Sequence, residues 1–250
     1  TYGDNDSVTL TNWYSAGNGR RIDKIVDMTG TEYSIMNDAP DYDKLVMTEN
    51  DNPFTIKTNN LIVYGTDGND TITVNGSSNT IYGKTGDDTI TQTYNYTNNS
   101  YIFSKGAGND EITMSNNSSN NNSTHTLKFS DVKFEDMKFL ADGNSLKISY
   151  SDNDSVTLSS WLNYVAGVKI EKITDSTGTE SKMLAGSNTA ANNNFTVNDA
   201  DNFILFDYFT TDNDTLTFSD TNASGLHVVA NFKSDGTLDG NGLRVLSDEN

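Results

Sequence analysis

Residues 65–73 read GTDGNDTIT and residues 83–91 read GKTGDDTIT, two nine-residue strings 18 positions apart. Residues 105–113, KGAGNDEIT, repeat the string 22 positions further on. Between the first two, residues 74–82 (VNGSSNTIY) keep Asn at the sixth place and Ile81 at the eighth. Upstream, 56–64 has Val63 at the eighth place, and 47–55 (MTENDNPFT) has Phe54 there. A period of nine therefore runs over residues 47–113, with four extra residues placed near Asn95–Asn99. Short fixed periods of this kind mark a solenoid, in which each repeat buries its apolar residue only by stacking on its neighbours.

Each place in the string has a physical reason. Glycines at the first, second and fourth places let the backbone turn sharply. The apolar residue at the eighth place points from a short strand into a thin core. Two strings make one coil with a strand on each face, so turns 18 apart stack on the same edge. The sixth-place carboxylates of Asp70, Asp88 and Asp110 then fall in one column beside turn carbonyls. An all-oxygen set of that kind suits Ca²⁺ rather than Zn²⁺ or Mg²⁺. The opposite edge has Asn60-type and Ser78-Asn79 turns without Asp, and no ion is expected there.

A second, longer repeat surrounds the first. Residues 7–31 (SVTLTNWYSAGNGRRIDKIVDMTGT) and 155–179 (SVTLSSWLNYVAGVKIEKITDSTGT) align without a gap at an offset of 148, pairing Trp13 with Trp161 and Gly30 with Gly178. Residues 127–131 (LKFSD) recur as LTFSD at 216–220, the start of a looser third copy. The chain starts and stops at the same phase of this repeat, as a segment of a longer tandem array would.

Composition narrows the function. Among 250 residues, 16 Lys and Arg face 35 Asp and Glu, a net charge of −19. That balance argues against nucleic acid, whose phosphates need basic clusters, and against anionic membrane surfaces. It favours a cationic partner. The absence of Cys and the presence of two His exclude thiolate metal sites and leave little for imidazole ones. No apolar run is long enough to span a membrane and no signal peptide is read at the start. Hydrophobic residues make up 34% of the chain, a thin supply for a core, so something else is expected to help it fold.

On these motifs, residues 56–113 resemble the RTX family, secreted bacterial proteins with a calcium-binding parallel β-roll. The flanks, 1–36 and 125–183, resemble the haemolysin-type calcium-binding-related region that often follows such blocks. The resemblance implies an all-β fold, a short parallel β-roll flanked by β-rich capping modules in tandem. The expected layout is the end of a first capping module over 1–44, the roll over 45–124, a second capping module over 125–185, and a degenerate roll with the start of a third module over 186–250. The resemblance also implies ligand sets. One cation would take carbonyls of Thr66 and Gly68 and the Asp70 carboxylate, with Gly83, Thr85 and Asp88 from the stacked turn. A second would take Lys84, Gly86 and Asp88 with Lys105, Ala107 and Asp110, so that Asp88 bridges both. Thr66, Lys84 and Lys105 stand where the family has glycines, which carbonyl ligation tolerates. A poorer third site would lie between residues 48–52 and 67–70. Folding by calcium would follow, with type I secretion of a loose chain.

Other features have simpler readings. Asp4-Asp6, Asp152-Asp154 and Asp212-Asp214 precede alternating strands and read as hairpin turns, although they also resemble half-motifs. Trp13 and Trp161 suggest stacking on a sugar, but their place after an alternating strand favours a core or capping role. Asp38, Asp41 and Asp43 beside Pro40 read as a solvated linker, and the Asn- and Ser-rich run 115–124 as a loop. No nucleophile elbow, zinc-protease or phosphate-loop motif is present, so no enzyme is expected. The reading is a calcium-binding structural segment of a large secreted or cell-surface protein, an adhesin or surface-layer protein, with neighbouring repeats and cell-surface molecules as further partners. The alternatives are the calcium-binding region of a toxin or secreted enzyme, or a calcium-dependent carbohydrate-binding module.

Overall fold

A computed structural model describes residues 24–26, 32–34, 44–48, 51–93, 96–115, 124–162, 169–185, 194–197, 202–207, 215–218, 227–232 and 238–245. Trp13, the Asp4-Asp6 and Asp212-Asp214 pairs, the 38–43 segment and most of the 115–124 run lie outside the described residues.

Two compact units divide the chain, residues 1–45 and 46–250. In the first, β1 (Lys24–Val26) and β2 (Glu32–Ser34) form an antiparallel hairpin pairing Lys24 with Ser34. In the second unit, β15 (Lys169–Thr174) and β16 (Glu180–Ala185) pair Lys172 with Lys182. Both partners keep the offset of the long repeat, so the duplication seen in sequence is also a duplication of strand register.

From β3 (Lys44–Val46) onward the strands are short: β4 (Phe54–Ile56), β5 (Ile62–Tyr64), β6 (Thr71–Val74), β7 (Thr80–Tyr82), β8 (Thr89–Gln92), β9 (Ser100–Phe103), β10 (Asn109–Met114) and β11 (Thr124–Phe129). Successive strands belong to opposite sheets. β4, β6, β8 and β10 stack in parallel on one face, and β5, β7, β9 and β11 on the other. A parallel pair needs a long crossover, and here the crossover is a strand of the facing sheet. The result is a β-solenoid of the β-roll kind, as the period of nine demands.

Alternation explains the core. In β6, Ile72 and Val74 are buried while Thr71 is exposed; β8 repeats this with Ile90 and Gln92. Phe54 aligns with Ile72 and Ile72 with Ile90 with Ile112, while Val63, Ile81, Tyr101 and Leu127 form the facing file. Each buried Ile or Val contributes roughly 1.5–3 kcal/mol. β-Branched Thr on the outer face suits an extended strand.

The registers correct the position of the insertion. Ile72 aligns with Ile90 at an offset of 18, Ile81 with Tyr101 at 20, and Ile90 with Ile112 at 22. The four extra residues are therefore split, two between Asp88 and Asn99 and two between Asn99 and Asp110. A four-residue bulge at one turn would have displaced β9. Divided between consecutive half-coils, the extra length widens both and leaves the pairing of β8 with β10 intact.

The roll then changes topology. A 3-10 turn (Phe134–Asp136) leads into β12 (Lys138–Asp142) and β13 (Ser145–Ser149), which run antiparallel to each other, and β13 runs antiparallel to β14 (Ser155–Ser159). β14 lies parallel on β10 and β15 parallel on β11. Each roll sheet thus passes into antiparallel pairing. Beyond β16, parallel stacking returns: β17 (Asn194–Val197) pairs with β19 (Thr215–Phe218), and β16 with β18 (Phe203–Asp207) and then β20 (His227–Phe232), which β21 (Leu238–Val245) closes antiparallel. Trp161 is buried and its indole N–H donates to the Ile170 carbonyl at 2.8 Å, a core role.

Candidate metal site

The parallel stack places Asp70, Asp88 and Asp110 on consecutive coils of one edge, all buried, at 1%, 2% and 3% exposure. They form a ladder. The Asp70 N–H donates to Asp88 Oδ1 at 2.8 Å, and the Asp88 N–H donates to Asp110 Oδ1 at 3.0 Å. One step along the chain a second ladder runs the other way: the Asp87 N–H donates to Asn69 Oδ1 at 2.9 Å and the Asn109 N–H to Asp87 Oδ1 at 2.8 Å. These side chains pin the turns of neighbouring coils to each other.

The opposite edge carries the same ladder in neutral form. The Leu61 N–H donates to Asn79 Oδ1 at 2.8 Å, the Asn79 N–H to Asn99 Oδ1 at 2.7 Å, and the Asn99 N–H to His125 Nδ1 at 3.3 Å. Each asparagine uses its amide as well. Asn79 Nδ2 donates to the Thr58 carbonyl and Asn99 Nδ2 to the Gly76 carbonyl and Gln92 Oε1. An aspartate has an oxygen where asparagine has that amide. Asp88 Oδ2 and Asp110 Oδ2 are buried and have no hydrogen-bond partner. Such an atom costs about 1–3 kcal/mol, more when charged, and a cation between two stacked carboxylates would meet the demand of both.

Electrostatics agree. Burial, with the charges of Asp110, Asp70 and Asp87 adding to it, pushes the Asp88 carboxyl up to about 7, against the pull of the Asp70 N–H. Burial and the charges of Asp87 and Asp154 push Asp110 up to about 7 as well. Among the described residues no three or more His, Asp or Glu side chains are grouped to hold a metal. A cation in this column would be shared by two carboxylates and completed by turn carbonyls.

The residues named from sequence all lie along this column, and they are not equivalent. Asp70 is satisfied within its own turn: Thr66 N–H donates to its Oδ2 at 2.6 Å and Thr66 Oγ1 to its Oδ1 at 2.9 Å. Gly68 N–H donates to Thr66 Oγ1 at 3.2 Å, and Thr85 Oγ1 donates to the Asp67 carbonyl at 2.9 Å. Gly83 is required by space, since a Cβ there would collide with Asp88 Oδ2. Lys84 takes φ +75° and its ammonium lies 3.6 Å from Asp67 at the surface. A Cβ on Gly86 would stand 2.6 Å from the Gly68 carbonyl carbon. Ala107 is buried, its N–H bonded to the Ser104 carbonyl at 3.1 Å, and the Lys105 N–H goes to Asp131 Oδ1 at 3.0 Å. The unmet oxygens fall on Asp88 and Asp110, the pair across the lengthened coil. The poorer site near 48–52 brings none: Asn52 bonds the Thr71 N–H and the Asn69 carbonyl, and Asp51 bonds Thr48.

Sequence reasoning missed three residues of the flanking module. Asp154 Oδ2 accepts the Gly106 N–H at 2.9 Å and its Oδ1 the Gly108 N–H at 3.0 Å. Burial alone would raise the Asp154 carboxyl, but the Gly106 and Gly108 N–H groups and the Ser151 hydroxyl hold it below the ordinary range. Asp131 takes the Lys105 N–H, and Tyr150 brings its hydroxyl toward Asp110. Asp152-Asp154 does form a hairpin turn between β13 and β14, as expected. The half-motif likeness was the signal that it also serves the roll.

The two interleaved parallel ladders make this chain a β-solenoid with an aspartate column on one edge and an asparagine column on the other. No known family model matches the chain, and no curated protein sequence matches it. Among solved structures, the extracellular lipase LipA from Serratia marcescens is similar over 68% of this chain, with 12% identity and a TM-score of 0.19. The match covers 28% of the lipase, so this chain spans less than a third of its length. Among the described residues no helix is long and apolar enough to cross a membrane.

Proposed function

We propose that this chain is a calcium-folded structural segment of a large secreted or cell-surface protein of the RTX type, an adhesin or surface-layer protein. The observation that carries this reading is the pair of buried, unpartnered oxygens on Asp88 and Asp110, on an edge whose neutral counterpart has its asparagine amides bonded. Asp88 and Asp110 would hold one Ca²⁺ with carbonyls of Lys84, Gly86, Lys105 and Ala107. Asp70 and Asp88 would hold another with Thr66, Gly68, Gly83 and Thr85. The ion supplies the positive charge that the column needs and accepts roughly six to eight oxygen ligands.

The consequence is folding linked to calcium. With a net charge of −19 and a thin core, the cation-free roll has little to offset carboxylate repulsion. Ligand that binds only the folded chain stabilises it by mass action. A segment of this kind stays loose where calcium is scarce, which suits passage through a type I secretion channel, and becomes rigid outside. Its role is mechanical and binding, with no catalytic part.

The test is far-ultraviolet circular dichroism and thermal melting during a Ca²⁺ titration of EDTA-treated protein, with Mg²⁺ as control and Asp88→Ala alongside. A rise in β signal and melting temperature with Ca²⁺ alone, blunted in Asp88→Ala, supports the reading. Identical melting in EDTA, Mg²⁺ and Ca²⁺ overturns it.

A further inference from the structure

Resting on that reading, we propose that Tyr150 sets the calcium threshold at the capped end of the column, its hydroxyl acting as the cation-free partner of Asp110. Two buried polar atoms at the junction of roll and flanking module lack hydrogen bonds: Asp110 Oδ2 and Tyr150 Oη. Their residues are 3% and 1% exposed, which removes both from bulk water. Asp110 is an acceptor and a phenol is a donor, and the two belong to neighbouring elements, since β10 carries Asp110 and lies directly on β14, which begins shortly after Tyr150.

The tyrosine is held where it can act. Its ring packs edge-on against Phe129 at 5.1 Å between centroids and lies 6.1 Å from Phe103. Both phenylalanines are buried in the widened last coil. The hydroxyl position is therefore fixed by apolar packing that does not depend on a cation. The neighbouring carboxylates are engaged elsewhere: Asp154 with the Gly106 and Gly108 N–H groups and Asp131 with the Lys105 N–H. Asp88 Oδ2, one coil away, is likewise unpartnered, but no tyrosine is among the groups acting on its carboxyl. The first copy of the long repeat carries Tyr2 ahead of Asp4 and Asp6, in the same phase as Tyr150 ahead of Asp152 and Asp154. The phenol thus belongs to the module.

The Tyr150 hydroxyl acts on the Asp110 carboxyl; in the proposal it closes onto Oδ2 while no cation is bound, and on loading Asp110 gives that oxygen to the ion. Tyr150 is then a positioning residue that stabilises the empty state. Losing a hydrogen bond to a charged group is worth about 1.5–3 kcal/mol, so the empty site should gain about tenfold or more in calcium affinity without it.

The experiment compares urea unfolding of wild type and Tyr150→Phe in EDTA and in saturating Ca²⁺, with sucrose added equally if the EDTA form needs it to show a transition. Phe keeps the ring packing. The expected result is a loss in EDTA and no loss in Ca²⁺, with a larger calcium-induced gain for the variant. Equal losses in both conditions make Tyr150 a packing residue and overturn the proposal, as does a loss confined to Ca²⁺. A double-mutant cycle with Asp110→Asn in EDTA measures the pair without any cation. If wild type ignores calcium, the calcium reading and the threshold role fail together, and coupling in that cycle then isolates the tyrosine–aspartate contact. Additivity there refutes the contact even when calcium stabilises wild type.

Discussion

Asp88 and Asn79 stand at the same step of successive half-coils and accept the same kind of hydrogen bond, from the Asp70 and Leu61 N–H groups, both at 2.8 Å. They differ in one atom. Asn79 Nδ2 donates to the Thr58 carbonyl, while Asp88 Oδ2 has nothing to accept from. The ladder itself needs only an acceptor, so the carboxylate is there for something more.

Asp88→Asn should convert the charged edge into the neutral kind. In EDTA the variant should be more stable than wild type by about 1–3 kcal/mol, because a buried unpaired charge is removed. In saturating Ca²⁺ the order should reverse. Urea melts under the two conditions check both signs; a variant less stable in EDTA would show that Asp88 is already satisfied without a cation.

Removing calcium should give stability an unusual pH dependence. Asp88 and Asp110 have folded values raised to about 7 from an ordinary 3.8. The folded chain therefore binds more protons than the unfolded one, and their contribution, complete below 3.8, is lost as pH rises through about 7. Between pH 6.5 and 8.5 the EDTA form should lose about 1–2 kcal/mol. The calcium-loaded form should stay flat across that window, and melting temperatures at half-unit steps read the difference.

His125 acts in the opposite direction. Burial holds its imidazole at about 4, below the ordinary 6.5, in spite of backbone contacts with Tyr96 and Asn99. Its neutral form is needed because Nδ1 accepts the Asn99 N–H. The folded chain here binds fewer protons, so stability is complete above 6.5 and falls as pH drops toward 4. The gap between wild type and His125→Asn should shift against wild type by about 3 kcal/mol over that range, as paired thermal melts would show.

Gly83→Ala and Gly106→Ala separate space from backbone strain. A Cβ at Gly83 meets Asp88 Oδ2, whereas one at Gly106 meets nothing within 4 Å and suffers only its φ of +86°. Gly106→Ala should cost about 1 kcal/mol or a little more. Gly83→Ala should cost more and should also weaken the calcium response, because it displaces Asp88 Oδ2, which would hold the ion. Calcium titration of both variants, followed by circular dichroism, distinguishes them.

The roll was legible in the sequence because one period controls three things at once: turn, column and core file. Fixing Ile72 and Ile90 in a file places Asp70 and Asp88 in a column with no freedom left. The split of the insertion was not legible. Spacing gives only the total between Asp88 and Asp110, and the adjacent Asn98 and Asn99 offer two choices for the sixth place. Tyr150 and Asp154 were hidden for another reason. They reach the column from far along the chain, through pairing of β10 with β14 that no local pattern encodes.

The half-coils lengthen from nine residues to eleven along the roll, and the core changes with them, from Ile72, Val63 and Ile81 to Tyr101, Phe103 and Phe129. Over residues 54–129 the roll in this sense tapers. Its narrow end has small aliphatic contacts, and its broad end has an aromatic plug braced by the flanking module. Fraying starts where a rod is thinnest, so amide exchange should be fastest around β4 and β6 and slowest around β9, β11 and β14. The part of the roll that is made last is then the part expected to open last.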